Sequence, residues 1–319
     1  MEKLFRLLFI VLLISSCSKN NGSNGGSSAV LLPDTLSAGW TKITTLPVEN
    51  FRDIFFTDNS NGFAVSNNGI YKSVNGGTDW TKINSSLNMV GIGAASPDRA
   101  CFVNNDFPVF VTQNGGTTFS QSTYTYPGGG SVGFYDCFFT GANNCYFSSN
   151  QFAWKSLDGG LTVDTIFEFP TVSSTSSLFF LNDNDGWIVR EDAVYKTTDA
   201  GDTWIPDTTL NNGYGSIDFP DPNTGYFTFY GTVNKTTDGG VTWLPVYQTG
   251  FANYTDIDFI NADEGYIAFN NKVYKTTDGG SNWTVVVALG NEIVSKICFT
   301  DASHGWACTS DGVVVKYAQ

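Results

Sequence analysis

One nine-residue phrase recurs along this 319-residue chain, and it constrains the fold more than any other feature of the sequence. Its four clearest copies are KSVNGGTDW, KTTDAGDTW, KTTDGGVTW and KTTDGGSNW, which begin at Lys72, Lys196, Lys235 and Lys275. A catalytic motif normally occurs once, because one reaction needs one site. A phrase repeated at even spacing therefore indicates architecture rather than chemistry.

The spacing of the phrase predicts a β-propeller. With two weaker copies included, TQNGGTTF and SLDGGLTV, the last residues of successive copies are 39, 44, 41, 39 and 40 positions apart. They are Trp80, Phe119, Val163, Trp204, Trp243 and Trp283. This period matches the length of a four-stranded propeller blade. A column of Phe residues and a column of Gly-aromatic pairs keep the same register ahead of the phrase.

The two ends of the chain predict how the ring closes. Six copies contain all four predicted strands, whereas a seventh, over 296–319, lacks its outer strand. Near the other end, WTKI at 40–43 repeats WTKI at 80–83 with no blade in front of it. Adding this strand to the seventh blade removes an exposed sheet edge. We therefore expect an all-β, seven-bladed propeller of four-stranded blades over 38–319, with the last blade closed by the N-terminal strand.

The first residues predict export and lipid attachment. Two basic residues precede an apolar run that is too short to span a bilayer. The segment ISSC, which ends at Cys17, resembles the lipobox of bacterial lipoproteins. We expect 1–16 to be a lipoprotein signal peptide, and 17–37 to be the lipidated cysteine and a flexible Gly, Asn and Ser tether. An ordinary signal peptide or a short membrane anchor is the alternative.

The net charge of the chain limits the classes of partner, and the residues after Cys17 bear on the cellular location. Without residues 1–16 the chain has 14 basic and 29 acidic residues, so its surface repels nucleic-acid phosphates. We expect membrane contact through the N-terminal lipid only. No acidic run follows Cys17, which favours a lipid-anchored protein of the bacterial cell envelope, at the outer membrane and facing the periplasm.

Cysteine spacing leaves disulfide connectivity open. Cys137 with Cys145, and Cys298 with Cys308, each lie across a predicted hairpin and are plausible pairs, while Cys101 is left over. No Cys or His cluster has the spacing of a zinc site. We expect neither a metal nor a cofactor.

The phrase itself is predicted to be a turn between two strands. Its glycines accept positive φ, and its Asp side chains can accept backbone hydrogen bonds. It resembles the Asp-box, or bacterial neuraminidase repeat, of sialidases, xyloglucanases and sortilin-type receptors. That resemblance implies a structural turn away from any active site, formed by Asn75, Asn114, Asp158, Asp199, Asp238, Asp278, Trp80, Trp204, Trp243 and Trp283. Departures from the pattern, such as Asn75 for Asp and Asp79 for Thr, are expected to weaken individual turns only.

The longer pattern is similar to that of the photosystem II stability and assembly factor family. A Phe, then a Gly-aromatic pair, then Lys-Thr-Thr-Asp-Gly-Gly recur in this order over 38–319. The resemblance implies a seven-bladed propeller with an assembly or scaffold role through protein contacts. Repeats of this kind also occur outside photosynthesis, so the resemblance does not identify the partner.

The predicted strand order bears on two enzymatic alternatives, a sialidase and another glycoside hydrolase. A sialidase needs three convergent arginines, but Arg52 and Arg190 fall at one face of the ring and Arg99 at the other. A glycoside hydrolase with two acting carboxylates stays open as the alternative function.

Acidic residues recur at the start of the predicted inner strands. Asp53, Asp136 and Asp256 occupy one column and face Lys296 of the last blade. They could form a solvated or Lys-paired rim, a cation site or an acid/base pair.

Aromatic residues in loops suggest recognition. The loops that join each outer strand to the next inner strand gather on one face, and aromatic side chains there can anchor a peptide or glycan. The candidate binding residues are Phe51, Arg52, Tyr124, Tyr126, Phe169, Tyr214, Phe251 and Tyr254. Inward packing against the blades is the alternative for the aromatic ones. We expect a non-enzymatic scaffold without catalytic residues, which binds an envelope protein or a glycan.

Overall fold

The computed structural model describes residues 33–85, 88–105, 109–125, 133–207, 215–229, 231–248 and 256–319. These residues form strands, turns and loops, and none of them lies in a helix, so no helix among them could cross a membrane. The strands assemble into seven antiparallel blades of four strands each, which confirms the predicted seven-bladed propeller. The predicted signal peptide and Cys17 lie outside the described residues.

Two strands precede the first blade: β1 (Asp34–Leu36) and β2 (Trp40–Ile43). Blade 1 contains β3 (Phe51–Phe56), β4 (Gly62–Ser66), β5 (Gly69–Ser73) and β6 (Thr81–Asn84). Blade 2 contains β7 (Met89–Ala94), β8 (Ala100–Asn104), β9 (Phe110–Thr112) and β10 (Ser120–Gln121). An added strand, β11 (Thr123–Thr125), then pairs in parallel with the outer strand of blade 3. Blade 3 contains β12 (Asp136–Phe139), β13 (Cys145–Ser148), β14 (Phe152–Ser156) and β15 (Thr162–Glu168).

The remaining blades repeat this order from the inner to the outer strand. Blade 4 contains β16 (Thr175–Phe180), β17 (Gly186–Arg190), β18 (Val194–Thr197) and β19 (Ile205–Pro206). Blade 5 contains β20 (Ile217–Asp218), β21 (Gly225–Phe229), β22 (Thr232–Thr236) and β23 (Leu244–Gln248). Blade 6 contains β24 (Asp256–Phe259), β25 (Gly265–Phe269), β26 (Lys272–Thr276) and β27 (Thr284–Leu289). Blade 7 contains β28 (Val294–Asp301), β29 (His304–Thr309) and β30 (Val314–Ala318), and β2 is its fourth strand.

The two ends of the chain meet in blade 7, as predicted. Strand β2 pairs antiparallel with β30, with Trp40 opposite Tyr317. The Trp40 ring also contacts Phe299 edge-on at 6.0 Å, which repeats the contact of Trp80 with Phe56 in blade 1. Strand β1 pairs with β27 of blade 6, so the packed structure begins ahead of the predicted boundary at residue 38.

Stacked aromatic rings join neighbouring blades and explain two of the sequence columns. Phe259 lies opposite Gly265 on the adjacent strand, and a Cβ at Gly265 would lie 2.4 Å from the Phe259 ring. Glycine is therefore required beneath the ring. The other face of Phe259 stacks on Tyr226 of the preceding blade at 3.4 Å, while Trp283 contacts the Phe259 ring edge-on. Comparable stacks join blades 3 to 4, 4 to 5, 6 to 7 and 7 to 1, through Tyr146 and Phe180, Trp187 and Phe219, Tyr266 and Phe299, and Trp306 and Phe56.

The repeated phrase forms the same turn in six blades. In blade 5, the Thr236 hydroxyl donates to Asp238 Oδ1 at 2.7 Å and accepts from the N–H of Gly240 at 3.0 Å. Asp238 in turn accepts from the backbone N–H of Thr242 at 2.8 Å and from its hydroxyl at 2.6 Å. Gly239 has a φ of 70° and Gly240 a φ of 77°, which a residue with a side chain adopts at a cost.

Replacements within the phrase preserve these hydrogen bonds. In blade 1 the Asn75 amide donates to the Asp79 carboxylate at 2.9 Å, so the donor and the acceptor have exchanged places. In blade 2 the Asn114 amide donates to the Thr118 hydroxyl at 2.8 Å. The replacements were expected to weaken these two turns, but neither turn has lost the hydrogen bond between its first and last polar side chains.

The predicted hairpin disulfides are absent. Cys101, Cys137, Cys145, Cys298 and Cys308 are all free and buried. In blade 3, Cys145 lies opposite Phe139 rather than Cys137, and in blade 7 Cys308 lies opposite Lys296 rather than Cys298. Each expected pair is thus diagonal across its hairpin, where Cβ atoms are too far apart for a disulfide.

Candidate ligand-binding channel

The inner strands of the blades surround a central cavity of about 170 Å³. Its lining includes five carboxylates and one ammonium group, from Asp53, Asp136, Asp218, Asp256, Asp258 and Lys296. The predicted column of three aspartates facing a lysine is therefore located at this cavity. Asp218 and Asp258 were not predicted, although each directly precedes a residue of the Phe column, which was a visible signal.

These carboxylates join four pairs of neighbouring blades: 1 and 2, 3 and 4, 5 and 6, and 6 and 7. The backbone N–H of Ile92 in blade 2 donates to Asp53 Oδ2 at 2.7 Å. In the same way, Asp136 accepts from the N–H of Leu178 in blade 4 at 2.9 Å. The N–H groups of Phe259, Ile297 and Phe299 donate to Asp218, Asp256 and Asp258 of the preceding blade. Because inner strands of neighbouring blades are not paired as a sheet, side chains supply the acceptors for these N–H groups.

Burial governs the ionisation of these groups. It raises the pKa of Asp53 to about 7 and that of Asp136 to about 6, although Lys296 opposes both shifts. Burial likewise raises the pKa of Asp218 to about 7 and that of Asp258 well above its ordinary value. Burial therefore favours the protonated form of these four carboxyl groups more than water does.

Lys296 is held by one of the five carboxylates. Its Nζ lies 3.1 Å from Asp256 Oδ1, which also accepts a hydrogen bond from the Ser216 hydroxyl. The Lys296 side chain is 38% exposed, whereas that of Asp256 is 3% exposed. Nearby carboxylates raise the pKa of Lys296, with Asp256 the strongest. The Lys-paired interpretation is correct for Asp256, and both Asp256 and Asp53 are buried rather than solvated.

Two of the predicted binding residues are packing residues. Phe51 is fully buried and Phe169 is 1% exposed. The Phe51 ring packs against Tyr71, and the Phe169 ring packs against both Tyr195 and the Arg190 guanidinium, whose centre is 4.1 Å from it. Neither ring is accessible to a partner, so inward packing is the correct alternative for both.

Arg52 and Tyr124 are the partly exposed members of the predicted set. Arg52 is the bulged residue of β3, directly before Asp53, and Tyr124 packs edge-on against Trp154. Tyr126, Tyr214, Phe251 and Tyr254 lie outside the described residues.

The three arginines do not converge. Arg99 donates to the carbonyl oxygen of Ala142 at 3.0 Å, at the face that carries the phrase turns. Arg190 is fully buried and is held by Asp192 and by two backbone carbonyl groups. The described residues also contain no group of three or more His, Cys, Asp or Glu side chains that could hold a metal ion.

Comparisons with known proteins support the fold. No family model and no curated protein matches the sequence. Among solved structures, YCF48 bound to D1 peptide has a TM-score of 0.73 at 16% identity, over 92% of this chain and 99% of that one. YCF48 from Cyanidioschyzon merolae has a TM-score of 0.72 at 17% identity, over 88% and 99%. These are photosystem II assembly factors with seven-bladed propellers, the family that the sequence pattern resembles.

An enzyme shares the architecture as well. The Niastella koreensis GH74 enzyme has a TM-score of 0.65 at 13% identity, over 85% of this chain but 43% of the enzyme. At these identities the matches establish the fold alone.

Proposed function

We propose that this chain is a non-enzymatic scaffold that binds a partner protein, or a glycan, on the face where loops join each outer strand to the next inner strand. We call this surface the loop face; Arg52 lies on it, whereas Tyr124 pairs with Val163, directly after the phrase turn of blade 3. The observation that carries the proposal is the use of the channel carboxylates. Each accepts a hydrogen bond from the following blade, so these groups hold the ring together instead of standing as a free acid/base pair.

The setting is part of the same proposal. The lipobox-like segment supports a lipoprotein attached through Cys17, exposed to the periplasm at the outer membrane of a bacterial envelope. The six phrase turns support assignment as Asp-boxes, because their Ser or Thr, Asp or Asn and Gly residues share one hydrogen-bond pattern. The solved structure of YCF48 bound to D1 peptide supports a protein-binding role for a ring of this kind.

A glycoside hydrolase is the second candidate. The favouring observation is that Asp53 and Asp136, whose pKa values burial raises to about 7 and about 6, line one cavity. A general acid needs such a raised pKa. Their hydrogen bonds to the next blade weigh against a catalytic role, because moving either side chain would disrupt the junction between two blades.

Site-specific photo-crosslinking tests the scaffold proposal. A photoreactive amino acid is placed at Arg52 on the loop face, in cells that produce the protein naturally. The matched controls are Val74 and Val241, each 65% exposed in the phrase turns of the opposite face. We expect one protein or glycan adduct from the Arg52 position and none from the controls. Equal labelling from both faces, or no adduct from the loop face, contradicts the proposal.

A glycan screen separates the two candidates. The purified protein is incubated with a panel of polysaccharides and chromogenic glycosides between pH 5 and pH 8. We expect no hydrolysis. Turnover that disappears in Asp136→Asn but persists in Asp98→Asn, an exposed surface control, would establish the glycoside hydrolase instead.

A further inference from the structure

One position on each inner strand forms a ring around the central cavity. This position lies three residues before the Phe column, and all seven residues line the cavity. They are Asp53, Ile92, Asp136, Ser177, Ser216, Asp256 and Lys296. The ring therefore contains three carboxylates and a single ammonium group.

On one side of this ring, the ammonium group of Lys296 pairs with the carboxylate of Asp256. Asp256 Oδ1 accepts from Lys296 Nζ and from Ser216, and Asp256 Oδ2 accepts from the N–H of Ile297 at 3.0 Å. The pair is thus complete within blades 5, 6 and 7. Among the described residues, no ion pair comparable to that of Lys296 with Asp256 is formed by Asp53 of blade 1 or Asp136 of blade 3.

On the other side of the ring, Asp53 has one carboxylate oxygen that accepts a hydrogen bond and one that does not. It is 6% exposed, and its Oδ2 is held by the N–H of Ile92. Its Oδ1 is buried and has no hydrogen-bond partner among the described residues. Leaving a buried carboxylate oxygen without a donor is unfavourable. Asp136 accepts only two backbone N–H groups, those of Cys137 and Leu178, and so retains further acceptor capacity.

The chemistry of these groups suits an ammonium ion better than a metal ion. Calcium and magnesium need several oxygen ligands that converge on one point. Here each carboxylate is fixed to its following blade, and the described residues contain no metal-binding cluster. A primary ammonium group has three donors that can reach separated acceptors. The cavity of about 170 Å³ has room for several water molecules or for the end of an alkyl chain.

We propose that the channel binds a primary alkylammonium group between Asp53 and Asp136. The group is either a lysine side chain of a partner protein or a free amine. The lysine alternative rests on the proposed scaffold function, whereas the free-amine alternative does not. In both cases the incoming ammonium group donates hydrogen bonds to Asp53, as Lys296 donates to Asp256.

Binding should depend on pH. The charged and titratable groups that face Asp53 are Lys296, Asp136, Asp256 and the buried thiols of Cys137, Cys298 and Cys308. Burial raises the pKa of Asp53 to about 7, and an ammonium ion favours its ionised form. Binding near pH 6.5 should therefore release protons, and the affinity should fall as the pH is lowered from 8 to 5.

Calorimetry with n-butylamine tests the site in the purified protein. At pH 8 we expect saturable binding of n-butylamine and none of 1-butanol, its uncharged counterpart. Asp53→Asn should weaken the binding at least tenfold, and Asp98→Asn, in an exposed turn, should leave it unchanged. A thermal melt of each variant confirms folding. Equal affinity in Asp53→Asn, binding of 1-butanol as tight as that of n-butylamine, or tighter binding of Ca²⁺ would each overturn the proposal.

A blocked pentapeptide identifies the source of the ammonium group. Gly-Gly-Lys-Gly-Gly is compared with the same peptide containing norleucine. Binding of the lysine peptide indicates a partner's lysine, while binding of n-butylamine alone indicates a free amine. The outcomes are separable from the scaffold proposal: crosslinking from the loop face without amine binding refutes the channel site alone, and amine binding without crosslinking refutes the scaffold alone.

Discussion

The aspartates of the channel and those of the phrase turns make similar hydrogen bonds in opposite surroundings. Asp238 accepts N–H groups within its own turn, and the bonds from Thr242 lower its pKa to about 2. Asp53 accepts an N–H from the next blade, and burial raises its pKa to about 7. The turn aspartates complete a blade, while the channel aspartates join blades. The contrast shows that exposure to water favours the ionised form of such a carboxylate, whereas burial raises its pKa even when it accepts similar hydrogen bonds.

The largest expected effect concerns the junction between β2 and the last blade, which joins distant parts of the chain. Trp40→Ala removes a 6% exposed ring from blade 7, where it contacts Phe299 and Tyr317. Loss of a buried Trp typically lowers the free energy of unfolding by about 3–5 kcal/mol. Urea unfolding followed by tryptophan fluorescence measures it, with Thr41→Ala in the same strand as control. A loss no greater than that of the control would show that closure does not depend on this ring.

Asp256→Ala tests a junction made by a carboxylate. The change leaves Lys296, Ser216 and the N–H of Ile297 without their acceptor. Removing one partner of a buried pair costs about 3–5 kcal/mol, and the partial exposure of Lys296 reduces this, so we expect about 2–3 kcal/mol. Chemical denaturation at pH 8 gives the value. Asp311→Ala, at an exposed loop, should change stability by less than about 0.5 kcal/mol.

Asp53→Asn tests the sign of the channel effect. The folded pKa of about 7 exceeds the ordinary value of 3.8, so between these values the native state binds more protons than the unfolded chain. Stability should therefore fall as the pH rises from 4 to 7, by up to about 1.4 kcal/mol per pH unit for one such carboxylate. Asparagine does not titrate, so the variant should show a shallower fall when unfolding is measured at pH 5, 6, 7 and 8. An unchanged slope would contradict the assignment.

The smallest expected effect belongs to a turn. Asp158 accepts from the N–H and hydroxyl of Thr162 and from the hydroxyl of Ser156. Burial opposes its ionisation, but these bonds outweigh it and lower its pKa. Asp158→Ala should cost about 1 kcal/mol above pH 5, and the part of this contribution that depends on ionisation should decline from about pH 4 downward and be lost below the lowered pKa of Asp158. An equal loss of unfolding free energy in Asp158→Ala and Asp256→Ala would contradict the proposed difference between aspartates in turns and aspartates that join blades.

The repeat made the ring predictable. A period near 40 residues, with Trp, Phe and Gly columns, encodes local contacts that recur in every blade, such as Phe259 over Gly265. The closing strand was predictable for the same reason, because Trp40 occupies in blade 7 the place that Trp80 occupies in blade 1.

The site was predictable only in part, because it depends on features that do not repeat. The column of Asp53, Asp136 and Asp256 was visible, but its burial depends on how seven strands pack around one cavity. The direction of loop aromatics was not readable either, since a single bulge or turn decides whether a ring such as Phe51 faces inward. Hairpin register similarly decided against the expected disulfides.

The N-terminal segment is fastened twice, on two different blades. Strand β1 adds three residues to the outer edge of blade 6, and only afterwards does β2 complete blade 7. Mechanical force applied at the N-terminal end of the described chain would consequently break the pairing of β1 with β27 first. The pairing of β2 with β30, which closes the ring, would bear the force only after β1 had detached.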